Sequence, residues 1–291
     1  MKRHWLAWVF AGPALMLIAV FFLLPVVAAL FLSTTDFDLY ALADMRQLRF
    51  VGLRNYLDLL RSAEFWNAFG NTLYFVVLGV PLSLGLSLLC AVLLNSAAAR
   101  AQSFFRTAVF APVVATMVAV AVIWRYLLHT RYGWINHLLS SVGVAPVDWL
   151  GDPRWSMPAI VVFAVWKNFG YNAVILLAGL QGIPRDLYEA ATMDGASAWQ
   201  CFYRVTLPML APTMFMVGIL TVTGYFQLFG EPYVMTQGGP ARSTVSVLYL
   251  MYEEGFKWWS LGSASAVAFM LFACMMVFTT ALLLVRKWRQ W

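Results

Sequence analysis

Long uncharged apolar runs constrain this chain more than any other feature. Trp5 to Leu32 contains no charged residue, and neither does Phe65 to Ala99. About 20 consecutive apolar residues suffice to cross a bilayer as a helix, and a helix pairs its backbone polar groups within the segment. Further runs follow: a third that ends at Arg125, a fourth from Trp155 to Leu180, a fifth from Leu207 to Gly230 and a sixth from Trp259 to Val285. Only 11% of the residues are charged and 62% are hydrophobic, against about 25% charged in an average soluble domain. The expectation is an all-α polytopic membrane protein. It forms a single domain over 1–291, with six spans at about 5–32, 68–95, 105–126, 156–180, 207–230 and 260–285.

The first run follows Met-Lys-Arg-His, a basic start that imitates a signal peptide. A signal core has only about 7 to 15 apolar residues, so a retained first span is the expectation. Pro13 and Pro25 fall inside it and imply kinks or frayed ends. The second run is longer than a span needs, so part of it projects from the bilayer. Between them, Phe50 to Leu60 is amphipathic and suits a membrane surface. Leu127 to Asp152, with Gly133, Gly143, Pro146 and Gly151, reads as loop. Glu231-Pro232 and Gly238-Gly239-Pro240 mark another turn-rich loop, leading to a surface segment from Thr244 to Phe256.

Six spans put both termini on one side. Lys2, Arg3, Arg100, Arg106, Arg185, Arg204, Arg286, Lys287 and Arg289 crowd the short connections there, while ten of the thirteen acidic residues fall in the longer loops opposite. Basic residues in short loops mark the cytoplasmic side. The net charge of +6 thus sets membrane topology, and without a longer basic run nucleic acid is not an expected partner. Cys90, Cys201 and Cys274 are scattered, and His4, His129 and His137 have no ligand spacing, so neither disulfide framework, metal nor cofactor is expected in this chain. There is no G-x-x-x-x-G-K-[ST], no G-x-S-x-G and no H-E-x-x-H. Nucleotide hydrolysis, an acyl nucleophile and a metalloprotease site are therefore not visible, and no catalytic residue is assigned.

Polar side chains inside the spans are the candidates for a passage. The fourth span carries Lys167, Asn168, Tyr171 and Asn172, with Asn168 and Asn172 sharing a face at i, i+4. An ionisable group at such depth costs at least about 2.5–3.5 kcal/mol, so it faces a cavity or a partner. Thr221, Tyr225 and Gln227 add hydroxyls and an amide in the fifth span, with Thr223 beside them. Rings next to hydrogen-bonding groups suit a sugar, whose C–H faces stack while its hydroxyls need partners. Equally, Lys167 can snorkel and the amides and hydroxyls can bond neighbouring helices; the residues alone leave both readings open.

Between the fourth and fifth spans, Pro184 to Pro212 is polar and codes for helices where its surroundings are apolar. Pro184 suits a first helical position and Gly195 a left-handed helix end. Leu187, Ala190 and Ala191 make one small apolar face, and Ser197 with Gln200 makes an S-x-x-Q capping box. Trp199, Phe202 and Tyr203 follow at i, i+3, i+4 spacing.

Glu189-Ala190-Ala191, three residues, Gly195, nine residues and Val205-Thr206-Leu207-Pro208 resemble the EAA loop of binding-protein-dependent ABC importer permeases, with Val205 in place of the usual Ile. The likeness extends to Val51-Gly52-Leu53-Arg54-Asn55-Tyr56 and the Gly238-Gly239-Pro240 turn, and is nearest to permeases of the maltose, lactose and glycerol-phosphate type. It implies the MetI-like type I importer fold and an ATP-driven importer of a sugar or related polyol in the bacterial inner membrane, with both termini cytoplasmic. The implied partners are a second related permease, two copies of a cytoplasmic ATPase that binds ATP and Mg, an extracytoplasmic solute-binding protein, and membrane lipid. It further implies that the loop at 182–206, with Glu189, Ala190, Ala191, Asp194, Gly195 and the following Leu207 and Pro208, couples to the ATPase. An ion-coupled secondary transporter and a channel-type membrane subunit are the other classes that such composition admits.

Overall fold

The computed structural model describes residues 4–43, 48–96 and 102–288. Lys2, Arg3, Arg100 and Arg289, which carry part of the orientation argument, lie outside them, as do Asp44 and Arg46.

The described residues are mostly helical, the helices joined by turns. In order come α1 (His4–Ile18), α2 (Leu24–Leu32), α3 (Leu39–Ala43), α4 (Arg54–Arg61), α5 (Ala63–Asn95), α6 (Gln102–Val114), α7 (Met117–Leu127) and α8 (Trp134–Ser141). They are followed by α9 (Pro153–Gln181), α10 (Arg185–Met193), α11 (Ala198–Cys201), α12 (Leu207–Phe226), α13 (Gly230–Met235), α14 (Val247–Tyr252) and α15 (Leu261–Trp288). Among the described residues, five helical stretches are long and apolar enough to span a membrane, and α6 and α7, bent by 97° where they meet, are together long and apolar enough for a sixth. The third apolar run is thus broken where a single straight span was expected. Pro112 supplies no N–H to the helix, α6 ends two residues later, and Thr116 is extended at ψ 134°.

Two prolines produce the same local device. A π-turn at Ala19–Leu23 joins α1 to α2, two residues ahead of Pro25, and the Leu24 N–H reaches back to the Ala19 carbonyl. Another at Phe202–Thr206 joins α11 to α12, two residues ahead of Pro208, and the Leu207 N–H reaches the Phe202 carbonyl. Shifting to an i→i−5 bond gives the proline ring room without ending the helix.

Contacts divide the chain into two compact units. In the first, Met1–Trp66 with Val247–Cys274, the Asn55 amide donates to the Ser33 and Thr35 carbonyls at 2.9 and 2.8 Å. The Tyr56 hydroxyl reaches Ser33 Oγ at 2.7 Å. The Asn-Tyr pair of the sequence stretch Val51 to Tyr56 therefore caps the exit of the first span. The Gly262 N–H bonds the Phe37 carbonyl at 2.9 Å, and its missing side chain leaves room for the Thr35 carbonyl.

In the second unit, Asn67–Ser246 with Met275–Trp291, α9 is the central element, with 67% of its apolar window buried. Ala91 and Leu94 of α5, Leu176, Leu177 and Leu180 of α9, and Leu210 and Val217 of α12 form its core. Small residues allow the approach, since helices in lipid associate through close packing rather than through exclusion of water. Gly170 lies directly on the Val109 carbonyl of α6. Ser87 of α5 donates to the Phe169 carbonyl at 2.9 Å.

Two loop expectations need correction. The segment Leu127 to Asp152 contains α8, held by Asn136, whose amide donates to the Thr130 and Val147 carbonyls and accepts from the Val147 N–H and Trp149 Nε1. Thr244 to Val247 is buried rather than superficial. Asn71 of α5 donates to the Arg242 and Val245 carbonyls at 3.0 and 2.9 Å, so the chain after the Gly238-Gly239-Pro240 turn is pulled inward.

Candidate functional site

A cavity of about 340 Å³ opens between α5, α6, α9, α12 and α13. Six of the eight intramembrane residues named from the sequence line it: Asn168, Tyr171, Asn172, Thr221, Tyr225 and Gln227; Thr223 instead donates to the Ile219 carbonyl of its own helix at 2.9 Å. The i, i+4 spacing of Asn168 and Asn172 places both on the face of α9 turned to α12.

These six fall into two groups. Asn172 and Thr221 are buried and bonded to neighbouring helices: the Asn172 amide donates to Thr221 Oγ1 at 2.9 Å and to Ser83 Oγ at 3.3 Å, and Thr221 donates to the Val217 carbonyl at 2.7 Å. They fix the wall. Asn168, Tyr171 and Gln227 line the same space and have no side-chain hydrogen bond among the described residues. The Tyr225 ring stacks on Phe75 with centroids 4.9 Å apart, over Gly79, where a Cβ would collide with it. Its hydroxyl is buried with Ser83 as its polar neighbour, and makes no hydrogen bond of normal geometry. Leaving such a group unmet costs about 1–3 kcal/mol. The wall therefore offers three rings, those of Phe75, Tyr171 and Tyr225, and several polar groups without protein partners.

Lys167 departs from the expectation that it lines the passage. It is 8% exposed, and its ammonium donates to the Pro112 and Ala115 carbonyls at 3.2 and 3.1 Å. Those oxygens lie at the C-terminal end of α6, where the helix dipole also favours a cation. The lysine holds the bend of the broken span.

Away from the cavity residues in sequence, α10 and α11 form a separate feature. Pro184 is the N-cap of α10 rather than its first residue, with ψ 134°. Gly195 stands at φ +78°, the Ala196 N–H bonds the Ala191 carbonyl at 2.9 Å and the Gly195 N–H bonds Thr192, which completes a Schellman end. Both capping-box bonds form: Gln200 N–H to Ser197 Oγ at 3.3 Å and Ser197 N–H to Gln200 Oε1 at 2.8 Å. Tyr188, bonded to Thr206 Oγ1 at 3.0 Å, ties the pair to the bundle. Glu189, Ala190, Asp194, Gly195 and Pro208 are exposed, Ala191 and Leu207 half-buried, and Trp199 and Tyr203 are 68% and 55% exposed.

Residues 83–290 match the family of binding-protein-dependent transport system inner membrane components. The chain belongs to this family. The lactose transport system permease protein LacF of Rhizobium radiobacter is 36% identical over 91% of this chain and 88% of its own. The trehalose/maltose transport system permease protein MalF of Thermococcus litoralis is 36% identical over 96% of this chain and 92% of its own. In fold, the chain is similar to the crystal structure of a bacterial ABC transporter involved in import of the acidic polysaccharide alginate, with a TM-score of 0.82, 23% identity and coverage of 98% and 96%. It is thus a multi-pass inner-membrane permease, a transport component rather than an enzyme, and it works with an ATPase and a solute-binding protein. The reading as an ion-coupled transporter or channel falls away.

The permease's cavity also contains residues that the sequence did not single out. Phe75 comes from a run read only as span, and Glu231 was noticed only as part of a turn. Burial pushes the Glu231 carboxyl above the usual carboxylate range, against the opposing pull of its own backbone N–H and the Lys167 ammonium. A signal was available: Glu231 is the single acid between Asp194 and Glu253.

Proposed function

We propose that this permease forms half of the translocation pathway for a sugar, alongside a second related permease, and that the cavity on α9 and α12 is where the sugar passes. The observation that carries the reading is the unpartnered Tyr225 hydroxyl beside the Phe75 ring: a stacking face and an unmet polar atom on one wall suit a polyhydroxylated ring. The names of LacF and MalF, which speak of lactose and of trehalose/maltose, support the class.

In the proposed cycle, two copies of the partner ATPase bind ATP and Mg and close upon each other. The α10–α11 pair receives that motion, and the permease pair opens outward to take sugar from the binding protein. Both termini then lie in the cytoplasm with this pair. Glu189 contacts a basic residue of the ATPase, and Ala190, Ala191, Asp194 and Gly195, backed by Leu207 and Pro208, let the backbones approach. The exposure of Glu189 and of the aromatic rings at Trp199 and Tyr203 supports a docking role.

Glu189→Lys reverses the charge at this contact. In membrane vesicles supplied with ATP, the variant is expected to insert at the normal level and to lose ATP-driven uptake of radiolabelled lactose or trehalose. Normal uptake would refute the coupling role.

A further inference from the structure

Resting on the assignment of the cavity to a sugar, we propose that Glu231 sets the charge class of the cargo, admitting neutral polyhydroxylated sugars and rejecting anionic ones. Glu231 is the one carboxyl on the cavity wall among the described residues, and no other lining side chain carries a formal charge. No side chain hydrogen-bonds or ion-pairs with it among the described residues. Its charged neighbour is Lys167, and the phenol of Tyr225 also feels its field. Lys167 pulls on the Glu231 carboxyl but does not itself meet a ligand. That ammonium is buried, points two of its N–H bonds at the Pro112 and Ala115 carbonyls, and is absent from the wall. The charge that the wall itself can present to a solute is therefore a negative one, carried by Glu231 when it is ionised.

The geometry around Glu231 is tight. Gly230 abuts Met117, whose methyl group would stand 2.8 Å from a Cβ there, so α13 lies close against α7. A carboxylate held in this way accepts hydrogen bonds from sugar hydroxyls, as the Asn168 and Gln227 amides both donate and accept. An anionic group brought within a few ångströms is repelled, and its occupancy falls by about tenfold or more in a partly dry cavity. The acidic cargo of the structural neighbour belongs to that protein and carries no implication here.

The test is uptake by the importer reconstituted with its own ATPase, second permease and binding protein in proteoliposomes. Radiolabelled lactose and trehalose are compared with digalacturonate, whose carboxylates remain ionised from about pH 5.5 to 8. The wild-type protein is expected to prefer the neutral sugars, and increasingly so as pH rises and Glu231 ionises. Glu231→Gln is expected to reduce that preference by about tenfold and to flatten its pH dependence, and Glu231→Asp to retain both. An unchanged preference in Glu231→Gln, or wild-type uptake of digalacturonate equal to that of lactose, overturns the proposal. Where Glu231→Gln fails to accumulate, the wild-type pH profile and Glu231→Asp decide. The underlying reading fails differently: if none of the three sugars enters and Asn168→Leu changes nothing, the cavity is not a sugar path and the role of Glu231 falls with it.

Discussion

The Lys167 ammonium lies 3.1 Å from the Ala115 carbonyl and 3.2 Å from that of Pro112, a buried cation on the open end of a broken helix. The charge tolerated in mid-span is a structural clamp. Lys167→Met removes both charge-assisted bonds and leaves the two carbonyls unmet in an apolar setting. The expected loss is about 1.5–3 kcal/mol, read as a lower melting temperature of the detergent-solubilised protein. An unchanged midpoint would show that the bend holds without the lysine.

Gly170 and Gly85 both lie within long spanning helices, yet the surroundings of each differ. At Gly170 a methyl group would run into the Val109 carbonyl and the Phe110 backbone, whereas at Gly85 nothing stands within 4 Å. Gly170→Ala should push α6 from α9 and cost about 1–3 kcal/mol. Gly85→Ala should be neutral or slightly stabilising. Paired thermal melts check this, and equal melting temperatures for the two variants would contradict the packing seen at α6 and α9.

The Tyr225 hydroxyl separates a ligand contact from a packing role. Tyr225→Phe keeps the ring on Phe75 and deletes an oxygen that makes no hydrogen bond of normal geometry in the protein. Stability should therefore stay level or rise. If a sugar hydroxyl satisfies that oxygen during transport, KM should rise about two- to tenfold, the worth of one neutral hydrogen bond. An unchanged KM removes Tyr225 from the sugar contacts.

Much of this was legible in the chain itself. The apolar runs predicted six spans, five of which fall on helical stretches long and apolar enough to cross a membrane, the Ser197 and Gln200 pair predicted its capping box, and Gly195 predicted a left-handed residue. These signals are local: each depends on residues within a turn or within one lipid-thick segment. The spacing of Asn168, Tyr171 and Asn172 gave a common face on one helix. Which amides were bonded and which unmet could not be read from that spacing, because Ser83 and Thr221, the partners of Asn172, are 89 and 49 residues distant.

The sequence by itself determined the membrane class, the order of the apolar spans, the capped α10–α11 pair and the likeness to importer permeases. The tertiary structure decided the function of each buried polar group. Lys167 bonds the end of α6 instead of lining the cavity, and Glu231, read as a turn residue, became the carboxyl on the cavity wall. The reason is physical: in a low-dielectric interior a polar atom takes whichever partner folding brings within about 3 Å, and sequence distance says nothing of that partner.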